Sequence, residues 1–118
     1  MNGTKPAAGS LPLECEVCLK EIPESAAFTP EGGHLAVTNA GANYFSVYAR
    51  TADGEGRQWS QTPMVQQIVN SEDEFRAVNS ENRMEGGPKG IAIHRRNLAV
   101  CSPQIGLKIF AIRERTTD

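Results

Sequence analysis

Alternation of apolar and polar residues with a period of two dominates this chain. The clearest example is residues 44–50, where Phe45, Val47 and Ala49 alternate with more polar neighbours. Successive side chains of a β-strand point to opposite faces, so the pattern predicts strands half buried against a core. It predicts strands at 13–20, 25–29, 34–38, 44–50, 64–69, 90–94, 97–101 and 107–113, and therefore an all-β fold.

Residues 70–89 interrupt the alternation. This stretch is polar and charged and contains few β-branched residues. It predicts one long loop, with a helical turn at 72–78 as an option. Loops of this length usually serve a function or are disordered.

The chain also contains a candidate internal repeat. Leu35-Ala36-Val37 recurs as Leu98-Ala99-Val100. Each copy follows a short strand and a tight turn, and each is followed by a glycine-containing loop and a similar strand, 46–49 and 108–111. The pattern predicts a flexible lead-in at 1–12 and a single β domain at 13–118, with repeats at about 22–69 and 87–113. Two unrelated β-meanders would share part of this pattern, so that alternative stays open.

The order of strand, Pro/Gly turn, Leu-Ala-Val, Asn/Gly loop and apolar-aromatic strand resembles a blade of the lactonase-like and NHL-like β-propellers. Residues 28–48 resemble one blade and residues 87–110 resemble the next. The resemblance implies about two four-stranded propeller-like blades, with 13–20 as the missing outer strand beside 107–113 of the same chain or of a neighbouring copy. Propellers need about 4–8 blades to close. The resemblance thus implies a fragment of a longer protein or an oligomerising unit; a reduced sandwich is the other option.

Cys15 and Cys18 have the C-x-x-C spacing of a zinc knuckle or a redox pair. Residues 15–23 also resemble the start of a small family of uncharacterised, transposon-associated proteins. Residues three apart in a strand point to opposite faces, so we expect Cys15 to be buried and Cys18 exposed, without a shared metal. The other candidate ligands, His34, His94 and Cys101, are isolated in the sequence. We therefore predict no metal site and no cofactor.

In a propeller, the loops at one face commonly carry the binding site. The polar residues that the resemblance places there are the candidate ligand-binding residues Asn39, Asn43, Arg76, Asn82 and Arg83. The sequence has no Gly-x-Ser-x-Gly elbow and no phosphate-binding loop, so we predict no catalytic residue. His94 with Asp73 or Glu74 would form a base and its partner only if the long loop folded back.

Charge and composition exclude further classes. The 118 residues carry a formal net charge of −2, which provides no basic surface for nucleic acid or an anionic membrane. No stretch approaches the roughly 20 apolar residues that span a bilayer. Three cysteines cannot all be paired, and no secretory leader is recognisable, so we expect a cytoplasmic protein.

Together these patterns favour a non-enzymatic, propeller-type binding or scaffold unit. Its partner would be a protein or a small-molecule ligand, and a homo-oligomer is an option. A propeller-lactonase-like hydrolase is the alternative function. A small zinc-binding protein built on Cys15 and Cys18 is the second alternative.

Overall fold

The computed structural model describes residues 11–13, 15–51, 59–81 and 83–112. This part of the chain is mostly β, which confirms the predicted fold class. Seven predicted strands are present within two residues of their expected ends. The elements are β1 (Pro23–Phe28), β2 (His34–Asn39), β3 (Tyr44–Ala49), β4 (Val65–Ile68), α1 (Glu72–Glu81), β5 (Gly90–His94), β6 (Asn97–Ser102) and β7 (Gly106–Ala111).

The strands form two antiparallel meanders. One sheet has four strands in the order β1-β2-β3-β4, and the other has three in the order β5-β6-β7. In the four-stranded sheet Leu35 lies opposite Phe28 on β1 and Tyr48 on β3. The corresponding residues of the three-stranded sheet are Leu98, opposite Ile93 on β5 and Phe110 on β7.

The two sheets pack face to face, and the core lies between them. Its buried cluster joins Ala36, Phe45 and Val69 to residues of the other sheet, Leu98 and Val100. The rings of Phe45 and Phe110 meet edge to face, with centroids 5.4 Å apart and an interplanar angle of 73°. Burial of these apolar side chains is the main force that holds the sheets together.

Polar contacts also join the sheets. The fully buried Thr38 donates from Oγ1 to the carbonyl oxygen of Lys89 at 2.6 Å. Asn70 donates from Nδ2 to Oγ of Ser102 at 3.0 Å. Lys108 donates from Nζ to the carbonyl oxygen of Val69 at 2.5 Å. Because these groups are buried or partly buried, pairing them avoids the cost of unsatisfied polar atoms.

The predicted long loop at 70–89, for which a helical turn at 72–78 was an option, contains the longer helix α1 (Glu72–Glu81). Ser71 starts the helix: its Oγ accepts from the Glu74 amide at 3.1 Å, and the Ser71 amide donates to Oε1 of Glu74 at 3.1 Å. This reciprocal pair is a capping box, a signal present in the sequence as Ser-x-x-Glu. The helix is otherwise polar, and among its described residues only Val78 is buried. No helix in the described ranges is long and apolar enough to cross a membrane.

Replacing Ser71 with alanine should destabilise the protein by about 1 kcal/mol, because the Glu74 amide loses its acceptor. The two hydrogen bonds from Ser71 also hold the pKa of the Glu74 carboxyl below its usual 4.5. A lowered folded-state pKa gives stabilisation that is present above pH 4.5 and is lost as the pH falls below it. The Ser71→Ala variant keeps the residue-71 amide that donates to Glu74, so the carboxylate is tested with Glu74→Gln: chemical denaturation at pH 7 and pH 3 should show a Glu74→Gln deficit that shrinks at pH 3. Ser80→Ala is the control on the same helix, and an equal deficit at both pH values would contradict the capping role of Glu74.

The predicted strand at 13–20 is also wrong. Residues 11–13 and 15–22 form no strand, and within the described chain β7 pairs with β6 alone. The alternation is nevertheless real, because Cys15, Val17 and Leu19 are half-buried while the residues between them are exposed. Their apolar side meets the face of the four-stranded sheet instead of the edge of β7. A period of two reports an extended chain with one covered side; it does not identify what covers that side.

Candidate functional site

A cleft lies between the N-terminal segment, residues 11–13 and 15–22, and the four-stranded sheet. It contains a cavity of about 620 Å³. One wall belongs to the segment and the other to the sheet face opposite the core, which we call the cleft face. The lining is almost entirely apolar, so the cleft suits an apolar surface or molecule. The lining residues are Leu11, Pro12, Leu13, Cys15, Val17, Leu19, Phe28, Leu35, Val37, Tyr48 and Trp59.

Among the described residues, hydrogen bonds attach the N-terminal segment near its middle and at its base. The carbonyl oxygen of Glu16 accepts from Nε2 of Gln61 at 3.2 Å. At the other end, Gly41 donates its amide to the carbonyl of Glu21 at 3.0 Å, and the Ala40 amide donates to the carbonyl of Ile22 at 2.8 Å. Ile22 has a φ of 53°, a left-handed conformation that is strained for a β-branched residue and turns the chain into β1. The segment is thus fixed at its base, while its apolar middle rests on side chains.

Two aromatic rings form one end of the apolar wall. Phe28 on β1 and Trp59 have ring centroids 5.6 Å apart at an interplanar angle of 47°. Phe28 remains 61% exposed despite this contact. Trp59 is held by a bridge to Arg50 at the end of β3. Trp59 is half-buried, so the exposed Phe28 ring is the part of this pair that gains most when a partner covers it.

A smaller polar cavity of about 220 Å³ continues the cleft, and Leu19 and Tyr48 line both parts. Burial, the Glu21 carboxylate and Tyr48 raise the pKa of Tyr44 in this wall above 10.0. Its phenol therefore stays neutral and able to donate a hydrogen bond at neutral pH. The lining residues are Cys18, Leu19, Lys20, Glu21, Asn39, Tyr44, Ser46, Tyr48, Gln61, Pro63 and Gln66.

The two cysteines of the C-x-x-C pair lie in different parts of this cleft. Cys15 is half-buried in the apolar part, and Cys18 is exposed beside the polar part. The predicted exposure of Cys18 is confirmed, whereas Cys15 is less buried than expected because the segment is not part of a sheet. In the described ranges, no group of three or more His, Cys, Asp and Glu side chains is arranged to hold a metal ion.

Two of the predicted ligand-binding residues stabilise the fold through side-chain hydrogen bonds. Asn39 is buried and donates from Nδ2 to the carbonyl of Tyr44 at 3.0 Å and to Oγ of Ser46 at 3.1 Å. Asn43 donates from Nδ2 to the carbonyl of Asn70 at 3.3 Å. Both side chains shape the loop between β2 and β3, and Asn39 also contributes to the wall of the polar cavity.

The other predicted ligand-binding residues lie on or after α1. Arg76 is exposed, and its Nε lies 3.5 Å from Oε1 of Glu72 one turn earlier. Arg83 is exposed at a φ of 55°, and Asn82 lies outside the described residues. Neither Arg76 nor Arg83 lines the two described cavities, so the structure does not bring them to Asn39 there. His94, the candidate base, is exposed at the end of β5, and the Glu74 carboxylate accepts the hydrogen bond of the helix cap.

The cleft itself was not predicted. Its signal in the sequence is the apolar series Cys15, Val17 and Leu19, but the propeller resemblance predicts that this series pairs with β7. Among the described residues, the two walls of the 620 Å³ cavity are almost entirely apolar or aromatic. Its chemistry is that of a contact surface.

Comparison with known proteins places the chain in a family. No curated protein and no solved structure matches it. A family model, described as a domain of unknown function, matches residues 1–72, more than half of the chain. The match contains the N-terminal segment and the whole four-stranded sheet, and it ends at the first residue of α1. This protein therefore belongs to the family of the domain of unknown function DUF3330.

Proposed function

We propose that this protein is a non-enzymatic binding or scaffold unit made of two propeller-like blades. Its binding surface is the cleft face of the four-stranded sheet. The partner is apolar where it meets Leu35 and Val37, and it is reached when the N-terminal segment moves aside. The observation that carries the proposal is the 620 Å³ apolar cavity on a sheet face that, in the described part of the chain, an extended segment covers without pairing to it.

The pairing within the two sheets supports the blade interpretation. Leu35 and Leu98 are the first residues of the repeated Leu-Ala-Val, and each lies opposite an apolar residue on both neighbouring strands. The repeated alanine, Ala36 or Ala99, then pairs with a β-branched residue of the next strand, Val47 or Ile109. A repeat in sequence that coincides with a repeat in strand pairing is what stacked supersecondary units require.

The weak attachment of the N-terminal segment supports the binding interpretation. Cys15, Val17 and Leu19 cover the cleft face without a strand ladder, and Leu13 remains 78% exposed. A cover that makes few hydrogen bonds opens at low cost, because little has to be broken. The apolar face beneath it then gains free energy from any partner that removes it from water.

An apolar fluorescent dye tests this surface directly. Trp59 is the single tryptophan and lines the cleft, so energy transfer from Trp59 to bound anilinonaphthalene sulfonate reports binding there. We expect the wild-type chain to bind the dye and Phe28→Lys to bind it about tenfold more weakly, since a charge replaces part of the apolar wall.

The control is Met84→Lys, because Met84 is 64% exposed and does not line the cleft. Dye binding should be unchanged in that variant. Equal binding by wild type and Phe28→Lys, or no transfer from Trp59 at all, would contradict a binding function of the cleft face.

A further inference from the structure

We propose that the cleft face binds the exposed face of the three-stranded sheet of a second copy of this chain, so that copies stack head to tail. This inference rests on the proposed function, since it names the partner of the same surface. It is argued from an interface that the chain already contains between its own two sheets. It also gives a role to the exposed apolar face of the three-stranded sheet.

The exposed face of the three-stranded sheet, which we call the open face, is apolar. Leu107 is 60% exposed and Ile109 is 64% exposed on β7. Ala92 and Ala111 are exposed, and Ala99 is half-buried, so the surface is flat with two large protruding side chains. Contiguous exposed apolar surface of this kind marks an interaction site.

The contact between the two sheets of one chain shows which kind of surface the open face can pack against. On the core side, Ala36 and Val47 of the four-stranded sheet pack against the residues of the three-stranded sheet that include Leu98, Val100 and Phe110. Through the repeat, Ala36 and Val47 correspond to Ala99 and Ile109, which form the open face. The same correspondence relates Leu98, Val100 and Phe110 to the cleft-face residues Leu35, Val37 and Tyr48.

Within the described residues, each chain therefore contains one joined pair of matching faces, and one face of each kind has no sheet packed against it. The open face of one copy can therefore pack on the cleft face of the next copy in the same way that the two core faces pack on each other within one chain. Stacking would bury Ile109 of one copy against Leu35 and Val37 of the second copy. A contact between two different faces is heterologous, so it continues from copy to copy and ends where the rotation between copies closes a ring.

Charge at the turns agrees with this arrangement. The turn between β1 and β2 carries the exposed Glu31, and the equivalent turn between β5 and β6 carries the exposed Arg95. Head-to-tail stacking places these equivalent turns side by side, so Arg95 would face Glu31 of the second copy. Hydrogen bonds from its own backbone and from His34 hold the pKa of Glu31 below 4.5, which keeps the carboxylate charged at neutral pH. Opposite charges at the rim of an interface favour this register over others.

The N-terminal segment occupies the same place as the second copy would. Val17 and its half-buried neighbours cover the residues that the open face would cover. Assembly thus requires the segment to leave the cleft, and the segment limits self-association. If the sheets stack as propeller blades do, about two to four copies would supply the 4–8 blades of a closed ring.

Sedimentation velocity of the full chain over a range of concentrations tests the proposal. The wild type should form species larger than the 12.8 kDa monomer. Ile109→Lys should weaken self-association at least tenfold, because it places a charge in the apolar contact, whereas Met84→Lys should leave it unchanged. Val17→Glu should strengthen self-association about tenfold by releasing the segment.

Charge reversal tests the head-to-tail register. Arg95→Glu alone and Glu31→Lys alone should each associate more weakly than the wild type, and a mixture of the two variants should recover association. Undiminished assembly of Ile109→Lys, failure of the mixture to recover, or a monomeric Val17→Glu variant would overturn the proposal. Loss of dye binding in Phe28→Lys is unaffected by these outcomes, so a failed stacking proposal remains distinguishable from a failed binding function.

Discussion

Truncation of Phe45 to alanine should destabilise the protein by about 3–5 kcal/mol, the usual cost of removing a buried aromatic ring. Phe45 is 4% exposed in the core cluster and packs edge to face on Phe110 of the other sheet. Its loss therefore leaves a cavity at the contact between the sheets. We expect a large fall in the denaturant midpoint, measured by circular dichroism.

Phe28→Ala is the matched control for Phe45→Ala. Phe28 is also on a strand of the four-stranded sheet, but it is 61% exposed on the opposite face. Its removal should cost about 1 kcal/mol, mainly through the lost contact with Trp59. Similar losses in the two variants would mean that the core does not lie between the two sheets.

Gly87→Ala should cost about 3 kcal/mol or more, because its backbone passes too close to the loop between β2 and β3. A Cβ atom at Gly87 would overlap the carbonyl oxygens of Ala42 and Asn39, and backbone atoms of this kind cannot move aside cheaply. The Gly87 amide also donates to the carbonyl of Ala40 at 2.8 Å. The substitution would thus separate the chain before β5 from the four-stranded sheet.

Gly90→Ala provides the control a few residues later. A Cβ atom at Gly90 would meet Cβ of Cys101 at 3.7 Å, an ordinary van der Waals contact. The unfolding free energy of the Gly90→Ala variant should stay within about 0.5 kcal/mol of that of the wild type. If denaturation showed Gly87→Ala to be equally neutral, the close passage between the two sheets would be disproved.

The strands could be predicted from the sequence because their signal is local. In the stretch around Phe45 and Val47, alternate residues face the core, and the strand ends within two residues of its predicted end. Glycines that adopt left-handed backbone also mark turns, as at Gly32 with a φ of 80° and Gly106 with a φ of 128°. These properties depend on a few neighbouring residues and on the geometry of one strand.

Helix α1 was predictable in part. The Ser71-x-x-Glu74 box marks its start, but its exposed, polar surface produces no strong helical period of apolar residues. One buried residue, Val78, is enough to hold it against the rest of the chain. A short helix with so little buried surface is stabilised by its cap and its contacts, and pattern analysis gives such contacts little weight.

The tertiary structure alone decided which surfaces meet. The alternation of Cys15, Val17 and Leu19 determined that one side of the segment is covered, but the edge of β7 and the cleft face are equally apolar partners in the sequence. Asn39 likewise is a polar loop residue in the sequence, and its burial and two hydrogen bonds follow from packing. Local patterns define how a strand is oriented. The pairing of faces depends on contacts between residues far apart in the chain, because the hydrophobic effect has no direction of its own and any apolar face of suitable shape can satisfy it.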